Sequence, residues 1–132
     1  RVVKMLLIHD LGEIDAGDTI IYASETNELK DEEAAGIKRI LSILPDEMEG
    51  ELIELWYEFE AGETADSKFA KAVDRVPPLL HNIHGNGHSW KAHRITKDKV
   101  FSVNQRIESG SEALWSVMRS KLESAVDEGV LK

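Results

Sequence analysis

His9-Asp10-Leu11-Gly12-Glu13-Ile14-Asp15-Ala16-Gly17-Asp18, entered through Arg1-Val2-Val3-Lys4-Met5-Leu6-Leu7-Ile8, is the stretch whose reading decides the fold. At about 100° per residue, Val2, Leu6, His9, Asp10 and Glu13 share one side of a helix, with Lys4 and Leu11 on the other. Polar groups thus continue an apolar stripe. The helix should fade between Gly12 and Ala16 and stop at Gly17, with a loop through Asp18, Thr19 and Tyr22 to about Asn27. Because Arg1 already reads as the middle of a helix, the pattern predicts a further segment upstream of it.

Outward from this stretch the pattern stays helical. Ala34, Ile37, Ile40, Leu41 and Leu44 predict a second helix over roughly 29–44, ended by Pro45. The acidic run Asp46-Glu47 suits a helix N-terminus, and the helix it opens turns Leu52, Leu55, Trp56 and Phe59 inward before Gly62. Thr64 is the expected N-cap of a fourth helix carrying Phe69, Ala70, Val73, Val76 and Leu80, which Pro77-Pro78 should kink or interrupt. The stretch from His81 to Trp90, which contains two Gly and two Asn, reads as loop-like in its second half. A fifth helix follows Thr96, and Ser109 with Glu112 has the spacing of a capping box before a last helix. No strand alternation occurs, so the expectation is one all-α domain, 1–132, of about six helices.

Composition narrows the function. With 25 acidic against 16 basic residues the net charge is −9, which excludes a general binder of polymeric nucleic acid. No cysteine is present, so any metal must be held by His, Asp and Glu, and a cytoplasmic setting is the expectation. No apolar run approaches a membrane span. His9 offers an imidazole nitrogen and Asp10 a carboxylate oxygen, donors that suit a divalent transition metal, and Glu13 follows one turn later. On spacing alone, His9 reads equally well as a core histidine and the acids as helix-end residues. Asp74, embedded in Phe69-Ala70-Lys71-Ala72-Val73-Asp74-Arg75-Val76, either pairs with Lys71 or Arg75 or meets a cation that offsets its burial. Lys71, one turn before it, either meets a substrate phosphate or pairs with an acid. The histidines from His81 to His93 read as a polar loop rather than a second metal site, and Trp90 and Tyr22 as packing residues.

The run Met5-Leu6-Leu7-Ile8-His9-Asp10-Leu11-Gly12-Glu13-Ile14-Asp15-Ala16-Gly17-Asp18-Thr19, followed by Phe69-Ala70-Lys71-Ala72-Val73-Asp74-Arg75, resembles the HD-domain phosphohydrolases. Within them it is most similar to the branch related to 5′-deoxynucleotidases. The similarity continues through Leu55-Trp56, His88-Ser89-Trp90 and Ala113-Leu114-Trp115. It implies a helical bundle holding one divalent metal ion, with His9, Asp10 and Asp74 as ligands. It further implies that Glu13 acts on the attacking water and Asp18 on the leaving oxygen. The family's first histidine has no counterpart here, since it would lie upstream of Arg1.

The resulting expectation is a metal-dependent phosphomonoesterase acting on (deoxy)nucleoside 5′-monophosphates or similar small phosphate esters. The alternative is a non-catalytic HD module with a regulatory or dimerisation role. Trp56, Trp115 and the apolar last helix suggest a homodimer.

Overall fold

The computed structural model describes residues 1–17, 22 and 26–132, and among them all regular structure is helical. Asp18, Thr19 and most of the loop expected before Asn27 lie outside the described residues. The first helix, α1 (Val2–Ile8), tightens into a 3₁₀ turn (His9–Gly12) and relaxes into the single turn α2 (Glu13–Ala16). Gly17 then ends the segment at φ 86°, a conformation open to glycine.

Helix α3 (Asn27–Leu41) begins two residues earlier than expected because Thr26 caps it, its Oγ1 accepting from the Leu29 amide at 3.1 Å. It also ends earlier than the expected Leu44: Pro45 bars the preceding residue from helical geometry, and Ile43 and Leu44 close a turn instead. Helix α4 (Asp46–Ala61) opens on three acids, as its dipole favours, and stops at the left-handed Gly62.

Helix α5 (Ala65–His84) is capped by Thr64, whose Oγ1 accepts from the Ser67 amide at 3.1 Å. It is not interrupted at Pro77-Pro78, contrary to expectation. The prolines remove the amides that would bond the carbonyls of Val73 and Asp74, but Leu79 is buried just beyond them and Asn82 donates through Nδ2 to the Pro78 carbonyl at 3.1 Å. The chain forms two compact units, Arg1–Ala70 and Lys71–Lys132.

In the first unit, Met5 and Ile8 from α1, Ile37 and Leu41 from α3, and Leu55, Trp56 and Phe59 from α4 make one apolar cluster with Ala70. Full burial of each large side chain contributes roughly 1.5–3 kcal/mol. Leu11, expected on the far side of the first helix, packs against this cluster. The cause is the 3₁₀ turn, which advances about 120° per residue rather than 100° and so swings Leu11 round.

One contact fixes where this turn sits. A Cβ on Gly12 would lie 2.9 Å from the Glu33 carbonyl oxygen of α3, and one on Gly36 would lie 3.0 Å from the Gly12 carbonyl oxygen. Backbone meets backbone at a crossing no side chain could enter.

The second unit holds α6 (His88–Ala92), α7 (Lys97–Asn104), α8 (Ile107–Gly110) and α9 (Glu112–Asp127). The helix α6 replaces part of the expected loop, because Asn82 Oδ1 accepts from the amides of Ser89 and Trp90 and so caps it. Thr96 caps α7 as expected. The cap of α9 is Ser111, not Ser109: Ser111 is extended and accepts from the Leu114 amide at 3.1 Å, while Ser109 belongs to α8. Trp115, Met118, Leu122 and Ala125 form the buried face of α9.

Candidate metal centre and comparison with known proteins

His9 opens the 3₁₀ turn, and three neighbours fix its ring and backbone. Nδ1 lies 2.6 Å from the Leu6 carbonyl oxygen. A carbonyl only accepts, so Nδ1 carries a proton and donates, and Nε2 is the nitrogen that faces Asp10. The Phe59 ring packs on the imidazole at 4.9 Å between centroids, and Trp56 donates through Nε1 to the His9 carbonyl at 3.3 Å. Two residues on one face of α4 thus hold one residue of the 3₁₀ turn.

Asp10 Oδ1 lies 3.0 Å from His9 Nε2. With Nδ1 donating to Leu6, the contact takes one of two forms: a second ring proton on Nε2 donates to the carboxylate, or Nε2 and Oδ1 both act as donor atoms to a metal ion between them. The separation equals the edge of roughly 3.0 Å between neighbouring ligands of an octahedral ion bonded at about 2.1 Å. The donor pair therefore fits the ion that the resemblance implies.

The 3₁₀ turn also changes which residues share a face. Residues i and i+3 eclipse there, so His9 aligns with buried Gly12 while Asp10 aligns with Glu13. Exposure follows: the His9 side chain is 12% exposed and that of Asp10 is 68%. The structure therefore joins His9 with Asp10, and aligns Glu13 with Asp10 rather than with all of a common stripe.

Asp74 and Lys71 lie on α5, three residues apart on one face and both half-buried. Asp18 lies outside the described residues. Among the described residues no group of three or more His, Asp or Glu side chains is gathered as a metal cluster. Trp90 is a buried packing residue as expected, and Trp56 and Trp115, which suggested a dimer surface, are buried as well.

Two features of the site do not stand out in the sequence. Trp56 and Phe59 are more than core residues, since they hold His9. Asp15, within the motif, receives a two-point grip from Arg39 of α3, with Nε to Oδ2 at 2.6 Å and Nη2 to Oδ1 at 2.8 Å. Hydrogen bonding from Arg39 holds the Asp15 carboxyl below its ordinary range, and the same bond raises Arg39. The signal available was the pair of glycines Gly12 and Gly36, which marks a close helix crossing.

The turn, its imidazole–carboxylate pair and the helical frame are those of an HD domain. The chain belongs to the HD domain family, whose profile matches residues 1–115. It is 35% identical over 83 residues to 5′-deoxynucleotidase HDDC2 of Homo sapiens, a match covering 61% of this chain and 40% of that protein. Against the protein of that name from Bos taurus it is 33% identical over 81 residues, with the same two shares. The chain thus spans about two fifths of the length of these curated relatives. A crystal structure of a predicted metal-dependent phosphohydrolase from Magnetospirillum magnetotacticum MS-1 superposes with a TM-score of 0.90 at 44% identity, covering 98% of this chain and 67% of that one. Among the described residues, no helix is long and apolar enough to cross a membrane.

Proposed function

We propose that the chain is the catalytic part of a metal-dependent phosphomonoesterase acting on (deoxy)nucleoside 5′-monophosphates. The observation that carries this reading is the His9–Asp10 pair, with Nε2 and Oδ1 facing each other at 3.0 Å and the ring proton committed to Leu6. The names of the relatives support the phosphate-ester substrate. His9, Asp10 and Asp74 would hold the ion, which would supply charge neutralisation and an acidified water.

The chain's own residues do the rest. Glu13, aligned with Asp10 on the 3₁₀ face, orients the attacking water and accepts its proton. In-line attack on phosphorus requires that water to be held on the side opposite the leaving 5′-oxygen. Asp18 protonates that oxygen as the P–O bond breaks. Lys71, on the face of α5 that carries Asp74, contributes a positive charge to the phosphate. The acidic surface disfavours polymeric nucleic acid but leaves a small ester free to enter.

The test is release of inorganic phosphate by the full-length protein from a panel of 5′-monophosphates, triphosphates, cyclic nucleotides and sugar phosphates with Mn, Co or Mg. Metal-dependent hydrolysis of the monophosphates is the expected result. Activity confined to triphosphates or cyclic nucleotides refutes the substrate class, and metal binding without hydrolysis of any of them shows a non-catalytic module.

A further inference from the structure

We propose that Arg39 is a positioning residue: through its grip on Asp15 it holds the one-turn helix that carries Glu13. This rests on the reading of Glu13 as the residue that acts on the attacking water. Helix α2 has four residues, Glu13–Ala16, and no side-chain cap at its start. Such a turn is far below the length at which a helix holds itself, because nucleation costs more than one hydrogen bond returns. The bond that closes its C-terminal end runs from the Gly17 amide to the Glu13 carbonyl at 2.8 Å. The stability of the turn must therefore come from what it touches.

Two contacts with α3 bracket Glu13. On its N-terminal side, Gly12 meets the Glu33 carbonyl and Gly36. On its C-terminal side, Asp15 is held by both donors of the Arg39 fork, and its Cβ would come within 3.3 Å of a Cβ on Gly36. Gly36 and Arg39 are three residues apart on α3 and so lie on one face. The first contact fixes position by close approach. The second fixes rotation, because a planar guanidinium on two carboxylate oxygens permits one mutual orientation where a lysine ammonium would permit many.

The pair's exposure separates the two roles it could have. Both side chains are substantially exposed, 57% for Arg39 and 39% for Asp15, and exposed ion pairs contribute little to global stability. Loss of the grip should leave the protein folded. Its effect should be local, on the geometry of Glu13, and misplacement of a reacting group by about 1 Å costs on the order of 10²-fold in rate.

The experiment uses Arg39→Met, Arg39→Lys and Asp15→Asn in the full-length protein. It measures amide exchange at Gly17, kcat and KM for a deoxynucleoside monophosphate, Mn affinity and the melting temperature. In Arg39→Met and Asp15→Asn, the Gly17 amide should exchange roughly tenfold faster, and kcat should fall about 10- to 100-fold. KM, Mn affinity and melting temperature should stay near wild type. Arg39→Lys, which keeps the charge and loses the fork, should fall between. Wild-type exchange and kcat in Arg39→Met overturn the proposal, as does a loss of kcat that follows a loss of melting temperature. An inactive wild-type protein overturns the phosphomonoesterase reading instead, and exchange at Gly17 then decides the grip by itself.

Discussion

Gly12→Ala adds one methyl group where α3 crosses the 3₁₀ turn. That carbon would sit 2.9 Å from the Glu33 carbonyl oxygen, and 3.5 Å from both its carbonyl carbon and Cβ. The obstacle is backbone, so rotamer changes cannot relieve it, and the two segments must separate by several tenths of an ångström. Overpacking of this kind costs about 1–3 kcal/mol. Replacing glycine by alanine in helical backbone returns roughly 0.5–1 kcal/mol. The net expectation is a loss of up to about 2.5 kcal/mol. Gly50, inside α4, supplies the comparison, because a Cβ there would meet nothing within 4 Å. Gly50→Ala should therefore stabilise by about 0.5–1 kcal/mol. Urea denaturation of the three proteins reads the difference directly, with unchanged slopes and midpoints displaced in opposite directions. If both substitutions move the midpoint the same way, the close crossing does not govern the packing of the turn.

Trp56→Phe keeps the core nearly filled but removes the N–H that the His9 carbonyl accepts, so divalent affinity measured by calorimetry should fall about 10-fold while the fold persists. Glu13→Ala should lower kcat by about 10²–10⁴ with metal affinity nearly intact, and equal loss of both would make Glu13 a ligand instead. Because Arg39 depresses the Asp15 carboxyl, the pair's contribution to stability is present above the ordinary aspartate value of about 3.9 and is lost as pH falls through the lowered one. The stability gap between wild type and Arg39→Met, small for so exposed a pair, should accordingly be constant above about pH 5 and close under stronger acid. Gly62→Ala forces a methyl group into left-handed backbone, φ 65°, at the end of α4, and should cost about 1–2 kcal/mol in chemical denaturation.

The helical class was legible because apolar spacing, caps and breakers agreed along most of the chain. Thr64 and Thr96 announce their helices by local chemistry that tertiary structure did not override. Ser109 has the spacing of a capping box but does not cap α9, because a capping box is only a spacing and Ser111 satisfies the same need two residues later. Pro77-Pro78 read as a breaker from the hydrogen bonds it deletes, while what carries α5 past it, the burial of Leu79 and the Asn82 bond, is visible only in three dimensions. Within the site, His9, Asp10 and Glu13 stood out by residue type. Their grouping did not follow from an α-helical wheel, because the change to 3₁₀ winding depends on α3 approaching Gly12. Arg39 resembled any solvated helix residue until its partner on α2 was known.

The hydrogen bond from His9 Nδ1 to the Leu6 carbonyl spans three residues of one continuous helical stretch. Its donor and acceptor both lie within that stretch, whereas Trp56 and Phe59 reach the residue from α4. The choice between the two imidazole nitrogens is therefore made locally, by a short segment. Substitutions in α3 or α4 can change where the ring sits. They leave untouched which nitrogen it presents, so the coordination chemistry and the placement of the ring are inherited from separate parts of the chain and can drift independently.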